Sequence, residues 1–484
     1  MVNKRVLKVA LVNPPFNKEG YYGDLKSLAP ELPLLGIAFL SSYVKNFGFD
    51  IKLLDLTLTS LDEATEVLCN FDIVGFSVFI TNYNTVIALS RKIKIIKNNI
   101  IIIIGGPHPT LFPLDFQESE VDFIVSGEGE LPFKEILTAL LNDRPVSHMP
   151  GLGYRNEKKM LMLDGKAPYI DDLDMIGPPD LRKYDLKRYY PALHVQGKKV
   201  IHTVTSRGCP YQCSFCAAAA IMGRHIRFRK TPSIINELIS YKDLGYDSII
   251  FSDDTFTVNK ERIIELCKAM IKHKLNFKWM CYARTDNCTD KDMLNIMREA
   301  GCYLIHFGCE SANDKTLKLL NKGLTNEINA KAINIVSGAN IFASSGFMVG
   351  LPGETIGDIM NTINFVKQSN LTFAVFPIFE PFKGTAIYEV AKKMGSWQKI
   401  KGDSNQLLLN QDEIWVPDSI SRAEVLLLSR KAYTEFYSKP KRLIRIAKYA
   451  LLYQPPSRAF SFIKTGLSCF TRFLNYTKSY NRVS

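Results

Sequence analysis

Strand-length aliphatic runs alternate with helix-length segments along most of this 484-residue chain, and no other feature restricts its fold so strongly. Helix-length segments such as 34–47 and 86–97 separate five runs within residues 1–142. Buried aliphatic strands that alternate with helices indicate a parallel sheet with helices on both faces. We therefore predict a doubly wound, flavodoxin-like α/β domain over 1–142, with strands at Leu7–Val12, Ile51–Leu56, Ile73–Phe79, Ile100–Ile104 and Val121–Val125.

A second alternating series begins at residue 200, after a proline-rich connector at 143–199. Six βα units in succession predict a partial (β/α)6 barrel over residues 200–394. In both sheets we expect functional groups in the loops that follow the strands, because parallel sheets bind ligands at the carboxyl ends of their strands. Residues 395–484 are predicted to be helical and to end in a basic tail. The predicted barrel strands lie near 202–207, 248–253, 278–284, 303–309, 342–349 and 373–380.

Cysteine spacing and hydropathy restrict the class of protein further. The chain has ten cysteines, of which Cys69 alone precedes residue 209 and five fall between Cys267 and Cys309. A disulfide framework would not cluster in this way, so the five are predicted to be ordinary core residues. The longest aliphatic run, Ile100–Ile104, is too short to span a bilayer. Together these features predict a cytoplasmic protein.

Three further cysteines, Cys209, Cys213 and Cys216, directly follow the first strand of the second series with the spacing C-x3-C-x2-C. Three thiolates within eight residues can hold three irons of a 4Fe–4S cluster. No fourth cysteine lies nearby, so the fourth iron would stay open to a substrate. One alternative is a tetrahedral zinc site with His202 or His225 as the fourth ligand. The other is a set of uncoordinated core thiols.

With an aromatic residue, Phe215, before the last cysteine, this segment resembles the signature of the radical S-adenosylmethionine (SAM) superfamily. The resemblance continues at the ends of the later strands and in the loops 321–323 and 383–385. It implies a 4Fe–4S cluster held by the three cysteines, with SAM on the open iron. The SAM contacts that it implies are Phe215 against adenine, Asp253 and Asp254 at the methionine amino group, Arg284 at the third strand end, Glu310 at the ribose or methionine, and Gly350 in a glycine pattern near adenine.

Simpler interpretations of these polar residues remain open. Asp253 and Asp254 would also suit capping of the helix that follows them. Arg284 and Glu310 would also suit a structural ion pair. Each loop motif alone is weak, and their order at six successive strand ends carries the resemblance.

The loops of the first domain resemble those of the cobalamin-binding domain found in one large radical-SAM class. The resemblance rests on Ser77-Val78-Phe79 after the third strand, Gly105-Gly106 after the fourth and Ser126–Glu130 after the fifth. Small residues there let the backbone approach a bulky cofactor closely. The resemblance implies cobalamin as a cofactor, with contacts from Ser77, Gly105, Gly106, Gly127 and Glu128. The alternative is a flavodoxin-like module that binds another ligand or none.

The motif that supplies a histidine to cobalt in related domains is missing. Asn13-Pro14-Pro15-Phe16 follows the first strand instead, so the resemblance implies cobalamin without a protein histidine as lower ligand. His108, after the Gly-Gly pair, is a substitute on sequence grounds, but a lone loop histidine is more typical of a surface hydrogen-bonding residue.

The two resemblances together predict cobalamin-dependent methylation of an unactivated carbon. They imply that the cluster cleaves SAM to a 5′-deoxyadenosyl radical, which takes a hydrogen atom from a small-molecule substrate before methylcobalamin supplies the methyl group. The alternatives are radical cyclisation, rearrangement or oxidation without methyl transfer, as in anaerobic porphyrin-ester cyclases, and a non-catalytic cobalamin-binding protein. Methylthio transfer to RNA is disfavoured because it needs three further cysteines before Cys209. An electron donor such as flavodoxin or ferredoxin is expected.

The positive charge is concentrated at the end of the chain. The net charge is +13, and residues 421–484 carry +11 of it, with 13 Lys and Arg against two Glu. Residues 441–452 plot on a helix with a basic face and an apolar face. The basic face holds Lys441, Arg442, Arg445 and Lys448, and the apolar face holds Leu443, Ile444, Ile446, Ala447, Ala450 and Leu451. This pattern predicts contact of 439–475 with an anionic membrane, and with it a hydrophobic substrate. The alternative is helices docked on the barrel with solvated basic faces. No nucleic-acid partner is expected, because the tail's aromatic residues lie on the apolar face.

Overall fold

The computed structural model describes residues 7–16, 31–146, 148–192, 194–399, 413–453 and 456. The chain divides into two compact units. The first comprises the chain up to residue 17 together with 32–189 and 218–229, and the second comprises 18–31, 190–217 and everything from residue 230 onward. The chain therefore leaves the second unit after residue 217, adds twelve residues to the first and returns.

The first unit is built on a seven-stranded sheet in the order β2-β1-β3-β4-β5-β6-β7. Strands β1 to β5 pair in parallel, which confirms the predicted doubly wound sheet. Ala10, Val74 and Ile102 are fully buried at the centre of three adjacent strands. The five parallel strands are β1 Val9–Asn13, β2 Lys52–Asp55, β3 Ile73–Ser77, β4 Ile101–Gly105 and β5 Phe123–Val125.

Helices cover this sheet and begin at side-chain caps where the sequence supplies them. The helix Leu61–Leu68 starts with a capping box in which Ser60 accepts from the Glu63 backbone and Glu63 accepts in return. Its neighbour Tyr83–Ile96 buries Val86, Leu89 and Ile93 at helical spacing. The helices of the unit are α1 Leu35–Lys45, α2 Leu61–Leu68, α3 Tyr83–Ile96, α4 Pro107–Leu111, α5 Glu130–Leu141 and α6 Ala218–Met222.

Much of the predicted connector belongs to the first unit. Strands β6 (Leu152–Arg155) and β7 (Leu161–Leu163) extend its sheet in antiparallel pairing. At the far end of the segment, the Tyr189 hydroxyl donates to the Asp55 carboxylate over 2.6 Å. The first unit therefore extends to residue 189, beyond residue 142, where the alternation of strand and helix patterns in the sequence ends.

A buried ion pair ties residues 218–229 into the first unit. Arg227 donates from both terminal nitrogens to the Glu128 carboxylate, over 2.8 and 2.9 Å, and both side chains are 2% exposed. The same arginine donates to the Ile170 carbonyl, and the Ile170 amide donates to Glu128. Its guanidinium also lies over the ring of Tyr169. Three separate stretches of chain thus meet at one charge pair.

The second unit contains a six-stranded, all-parallel sheet in the order β15-β14-β13-β12-β11-β8. Sequential order with parallel pairing is the topology of a partial βα barrel, as predicted. The strands are β8 Val200–Thr203, β11 Ser248–Phe251, β12 Lys278–Ala283, β13 Cys302–Glu310, β14 Phe342–Phe347 and β15 Phe373–Val375, and the two-residue strands β9 Ser206–Arg207 and β10 Arg227–Phe228 belong to the second and first units respectively.

Capped helices follow the strands of the second unit. Asn259, Asp290 and Thr325 each accept a backbone hydrogen bond at a helix start. The helices are α7 Thr231–Asp243, α8 Lys260–Lys272, α9 Lys291–Glu299, α10 Asp314–Leu319, α11 Asn326–Gly338, α12 Ile356–Gln368, α13 Ala386–Met394, α14 Arg422–Tyr437 and α15 Pro440–Tyr453.

The region after residue 394 is helical only in part. An antiparallel pair of strands, β16 (Gly395–Lys399) and β17 (Glu413–Pro417), precedes α14. The prediction of a helical region is wrong here, because Ile414, Trp415 and Val416 form a buried strand. In the described part of the chain, no helix has the length and apolarity needed to cross a membrane. Most of the predicted membrane-contacting segment, from residue 457 onward, lies outside the described residues.

The last described helix, α15, docks on the second unit with a different face from the one predicted. Ile446 and Tyr449 are buried, although the wheel placed Ile446 on the membrane-facing side. Arg442 was predicted on a solvated basic face, yet it is buried over the Phe436 ring and donates to the carbonyls of Phe436 and Ser369. Residues spaced 442, 446 and 449 share one helical face, and this face packs against the body of the unit.

We predict that Arg227→Met destabilises the first unit by about 3–5 kcal/mol, because it leaves the Glu128 carboxylate buried without a cation. Urea unfolding of the full chain, followed by circular dichroism, measures this loss. The control is Asp62→Asn, which breaks the exposed ion pair with Lys92 in the same unit and should cost at most about 1 kcal/mol. Adding Glu128→Leu to Arg227→Met should restore most of the loss; equal stability of the wild type and the single variant would contradict the prediction.

Candidate active site

The three cysteines lie in one loop at the carboxyl end of β8. Cys209 and Cys213 are partly buried and Cys216 is exposed. Hydrogen bonds with a neighbouring loop fix this segment, since the Ser214 backbone amide donates to the Leu320 carbonyl over 2.8 Å and the Asn321 side-chain amide donates to the Gln212 carbonyl over 2.8 Å. The loop is therefore held from outside by the residues that follow α10.

The buried carboxylate of Asp253 fixes the backbone that enters the cysteine loop. It accepts from the amide and hydroxyl of Thr205 at 3.0 and 2.8 Å and from the Ser206 hydroxyl at 2.5 Å. Burial raises the pKa of Asp253, against the opposing effect of Arg262 and these hydrogen bonds. Asp253 is thus neither a helix cap nor a group exposed in the site. It clamps the end of β11 to the residues before Cys209.

Two cations lie beside Cys213. Arg284 Nη1 is 3.7 Å from the Cys213 sulfur, and its guanidinium lies 3.6 Å from the ring centre of Tyr211. Arg284 also donates to the Lys322 carbonyl over 2.7 Å and to the Asp286 carboxylate. The alternative interpretation, a structural ion pair between Arg284 and Glu310, is wrong, because Arg284 pairs with Asp286 and Glu310 pairs with Lys322.

The second cation, Lys322, is 7% exposed and forms a 3.1 Å ion pair with Glu310. Its ammonium lies 5.4 Å from the ring centre of Phe215. Burial acts to lower the pKa of Lys322, but the Glu310 and Cys213 charges outweigh it and the pKa is raised. Lys322 therefore stays charged and connects Glu310, Phe215 and the cysteine loop.

Glu310 has a strained backbone that depends on a glycine. Its φ of 67° lies in the left-handed region, which a non-glycine residue adopts at an energetic cost. This turn folds the carboxylate back over β13, so a Cβ at Gly308 would lie 2.3 Å from Oε1 of Glu310 and 3.2 Å from Nζ of Lys322. Gly308 therefore provides the space in which the Glu310–Lys322 pair lies.

The other predicted SAM-contacting residues lie around this centre. Asp254 is exposed beside Asp253, and the surrounding protein together with the Asp253 carboxylate raises its pKa to about 6. Phe215 packs against a cluster that includes Leu351. Gly350 has a left-handed φ of 82° and lies against Val425 of α14. The glycine pattern after β14 thus meets the C-terminal helices as well as the site.

The residues present suit a 4Fe–4S cluster in chemical type. One loop offers three thiols, and two cations that favour thiolates lie within reach of one of them. Within the part of the chain that the structure describes, no three His, Cys, Asp or Glu side chains converge at metal-ligating distances. The zinc alternative needs His202 or His225 with the cysteines, and His202 instead lies 3.5 Å from the Ser252 hydroxyl.

In the first unit, the loops after β3 and β4 pack directly on one another. The Val78 amide donates to the Gly105 carbonyl over 2.8 Å, and the His108 amide donates to the Val78 carbonyl over 3.0 Å. Gly106 has a φ of 105°, and a Cβ there would lie 3.1 Å from the Val78 backbone and 3.3 Å from Oγ of Ser77. The Ser-x-Phe and Gly-Gly segments are therefore one structural element.

The loop after β5 and His108 differ from their predicted environments. Gly127 is left-handed and close to Ala167, while Glu128 is fully occupied by Arg227 and the Ile170 amide. His108 was expected at the surface, yet it is 5% exposed among aromatic rings, 3.2 Å from the Asp115 carboxylate. These contacts make Glu128 a structural anchor and place the His108 ring in a packed environment.

Comparison with known proteins identifies the class to which this fold and site belong. The radical SAM superfamily model matches residues 203–366, and the B12 binding domain model matches residues 24–137. The chain is 30% identical over 456 residues to the uncharacterized methyltransferase PH0819 of Pyrococcus horikoshii, covering 91% of this chain and 95% of that protein. It is 26% identical to an anaerobic magnesium-protoporphyrin IX monomethyl ester cyclase of Rubrivivax gelatinosus, with 89% and 77% covered.

A solved structure shows the same fold. The cobalamin-dependent SAM radical enzyme OxsB, determined with aqua-cobalamin and SAM bound, superimposes with a TM-score of 0.71 at 18% identity, covering 94% of this chain and 72% of that one. The chain belongs to the radical SAM superfamily, in the group whose members also carry a B12-binding domain. It is an enzyme of the cobalamin-dependent class, whose cofactors are a 4Fe–4S cluster, SAM and cobalamin. The two predicted resemblances are confirmed.

Sequence reasoning missed three residues of this site. Lys322 was noted only as part of a loop motif, although it pairs with Glu310. Tyr211 lies inside the cysteine signature, and it carries the stacked Arg284 guanidinium. Gly308 precedes Glu310 by two residues on the same strand and leaves room for the Glu310 side chain to fold back. A glycine at this spacing is the sequence signal that could have indicated the turn.

We predict that Gly308→Ala weakens SAM binding about tenfold with little loss of stability, because the added methyl group displaces the flexible Glu310 carboxylate rather than backbone. Equilibrium dialysis with labelled SAM, on the reconstituted enzyme, measures the affinity. The control is Gly338→Ala on the helix α11, where a Cβ meets no atom within 4 Å. Unchanged SAM affinity in the Gly308 variant would contradict a role for the Glu310–Lys322 pair in binding.

Proposed function

We propose that this enzyme transfers a methyl group to an unactivated carbon of a small molecule. The observation that carries the proposal is the combination, in one chain, of three cysteines in one loop at the barrel strand ends with the packed Ser-x-Phe and Gly-Gly loops of a B12-binding sheet. The relative from Pyrococcus horikoshii, which matches this chain almost end to end, is itself named as a methyltransferase. When bound, the cluster and SAM supply a radical able to abstract hydrogen, and cobalamin supplies the methyl group.

Within this proposal, the residues of the second unit have distinct tasks. Cys209, Cys213 and Cys216 would ligate the cluster. Arg284 and Lys322 place positive charge beside the cysteine thiolates, which favours ligation and reduction of the cluster. Their ion pairs with Asp286 and Glu310 hold them in place. Asp253 positions the cysteine loop rather than contacting the ligand.

The SAM molecule would be bound by the groups that surround the open iron. Phe215 offers an apolar face for adenine, and the glycine pattern that contains Gly350 keeps the adjacent backbone accessible. The Glu310 carboxylate suits the ribose hydroxyls or the methionine ammonium. Asp254 is exposed and suits the methionine ammonium, because Asp253 is already saturated with hydrogen bonds.

In the first unit, Ser77, Gly105 and Gly106 would let the cofactor approach the backbone, since a side chain at Gly106 would collide with the neighbouring loop. Gly127 continues this glycine-lined edge. Glu128 would act on the cofactor only indirectly, through the buried pair with Arg227. His108 is not proposed as a cobalt ligand, since its ring is packed among aromatic side chains.

The second candidate function is radical cyclisation without methyl transfer. It is favoured by the relative from Rubrivivax gelatinosus, which is named as a cyclase and covers 89% of this chain. The two functions make different products from SAM. Methyl transfer would use one SAM as the radical source and a second as the methyl source, whereas cyclisation would use only the first.

We predict that the anaerobically reconstituted enzyme, with cobalamin, a reductant such as reduced flavodoxin and an extract of small molecules, forms both 5′-deoxyadenosine and S-adenosylhomocysteine. Chromatography with mass spectrometry measures the two products. Cys213→Ala should lose 5′-deoxyadenosine formation, because two thiolates do not hold the cluster. Cys69→Ala, which removes a thiol distant in sequence from the signature, is the matched control and should keep it. Formation of 5′-deoxyadenosine alone would replace methyl transfer with the cyclase function.

We also propose that the enzyme contacts anionic membrane surfaces through α15. The helix docks with one face and leaves the apolar side chains Leu443, Ile444 and Leu451 between 50% and 69% exposed. Lys448 and Arg445 are exposed beside this strip, which is therefore apolar with a basic border. That pattern suits the interface of an anionic bilayer. This exposed surface differs from the predicted amphipathic helix in that Arg442 and Ile446 are buried and do not belong to it.

We predict that Ile444→Asp/Leu451→Asp abolishes co-flotation of the full-length enzyme with vesicles of phosphatidylcholine and phosphatidylglycerol, because buried acyl contact is lost and anionic lipid is repelled. Wild-type binding should weaken as salt is raised. The control is Ile95→Asp/Ile96→Asp, a pair of similarly exposed isoleucines at the end of α3. Equal flotation of wild type and the α15 variant would end the membrane proposal.

A further inference from the structure

The inner face of the second-unit sheet carries a row of polar side chains that neither the cluster nor the SAM contacts use. Tyr282 on β12, His306 on β13 and Ser344 on β14 lie directly opposite one another in the parallel register. We call these three residues the inner row. Nδ1 of His306 is 3.0 Å from Oγ of Ser344, and the Tyr282 ring meets the His306 ring edge-on at 5.5 Å. The row is thus one continuous contact surface across three strands.

Tyr282 and His306 of the inner row are partly accessible, whereas Ser344 and the opposite face of the same strands are buried. The opposite face, which the helices cover, is formed by the sequence neighbours of the row. Of these, Cys281, Ile305 and Ser345 are fully buried. Tyr282 is 36% exposed and His306 is partly exposed. Nε2 of His306 and the Tyr282 hydroxyl make no hydrogen bond to any residue that the structure describes. Two polar groups therefore remain available to a ligand.

The row lies close to the SAM-binding end of the strands. Gly308 and Gly346 follow His306 and Ser344 by two residues on the same face, about 7 Å further along the strands, and the Glu310 carboxylate folds back over Gly308. A substrate group held at the row would place its neighbouring atoms at the level of Glu310.

Aromatic rings and the absence of charge define the chemistry of the row. His194 stacks toward His306 with ring centres 6.5 Å apart, and Phe373, which pairs with Ser344, lies 6.0 Å from His194. Tyr449 of α15 closes this end through its contact with Phe373 and a hydrogen bond to the His194 carbonyl. The same-face residues two positions earlier are Met280, Leu304 and Phe342, all uncharged.

The two histidines are neutral under ordinary conditions. Burial lowers the pKa of His194 to about 4, and burial together with His194 lowers the pKa of His306 to about 3. The nearby cations do not compensate a ligand charge, because Arg284 is paired with Asp286 and Lys322 with Glu310. A charged group placed at the row would lose hydration without gaining a counter-ion.

We propose that the inner row binds an uncharged, planar, hydrogen-bonding part of the substrate and so selects the substrate class of this enzyme. The inference rests on the proposed function, because it takes the ligand of the row to be the substrate of that reaction. The row alone defines the binding site itself. Neutral imidazole and phenol groups offer both donors and acceptors to such a group. The flanking aromatic rings favour flat, unsaturated structures over saturated ones.

The test compares three ring compounds of nearly identical shape and different charge. Benzamide is neutral, benzoate is anionic and benzylammonium is cationic at neutral pH. Saturation-transfer NMR with the full-length protein measures their dissociation constants. A fragment of this size reaches millimolar affinity in a site that fits it, and we expect benzamide to bind at least about tenfold more tightly than either charged compound, because the charged groups are desolvated without a partner.

Two variants connect this binding to the inner row. His306→Leu and Tyr282→Phe should each weaken benzamide about fivefold, the effect of one lost hydrogen bond of about 1 kcal/mol. Tyr282→Phe keeps the ring, so its effect does not depend on altered packing. His273→Leu, an identical change on the exposed end of α8, is the control and should leave binding unchanged.

Three results would overturn the proposal. They are tighter or equal binding of benzoate or benzylammonium, unchanged benzamide affinity in both folded variants, and no benzamide binding in the millimolar range. None of these outcomes depends on loaded cofactors. If the enzyme instead formed no S-adenosylhomocysteine while benzamide binding followed the pattern above, methyl transfer would fail and the recognition site would stand.

Discussion

Parallel pairing of all six strands in the second unit is the constraint on which the site depends. Because each strand runs in the same direction, the loops after β8, β11, β12, β13 and β14 meet at one edge of the sheet. Residues more than a hundred positions apart in sequence, such as Cys213 and Lys322, thereby become neighbours. An antiparallel sheet of the same composition would send half of these loops to the opposite edge.

Charge is arranged in pairs at this edge. Arg284 with Asp286 and Lys322 with Glu310 bring both signs to the site, so each charged side chain is held by a partner in a partly dry environment. The arginine is additionally flattened on Tyr211, which fixes the guanidinium plane. The charged side chains are thus positioned around the cysteine loop by residues from three other loops.

The sequence allowed the strands and the cysteine loop to be predicted because both leave local signals. Aliphatic runs mark buried strands, and the three cysteines fall within eight residues. The partners of Arg284 and Glu310 left no such signal, since Asp286 and Lys322 compete with the predicted pairing through geometry that only the folded chain defines. The prediction of which face of α15 docks was wrong for a related reason. A helical wheel separates apolar from basic residues. It does not show that the buried Arg442 guanidinium donates to two backbone carbonyls and lies over an aromatic ring.

The twelve residues that return to the first unit have a consequence for how the protein is made. Glu128 leaves the ribosome about a hundred residues before Arg227, and until then its carboxylate has no cation with which to share a dry environment. The first unit therefore cannot finish folding before the whole cysteine loop has been synthesised, although its sheet strands are complete much earlier. A gene fragment that ends between the two units would encode an unfinished sheet domain, so insertion or exchange of the B12-binding unit in evolution must carry residues 218–229 with it or replace the buried pair.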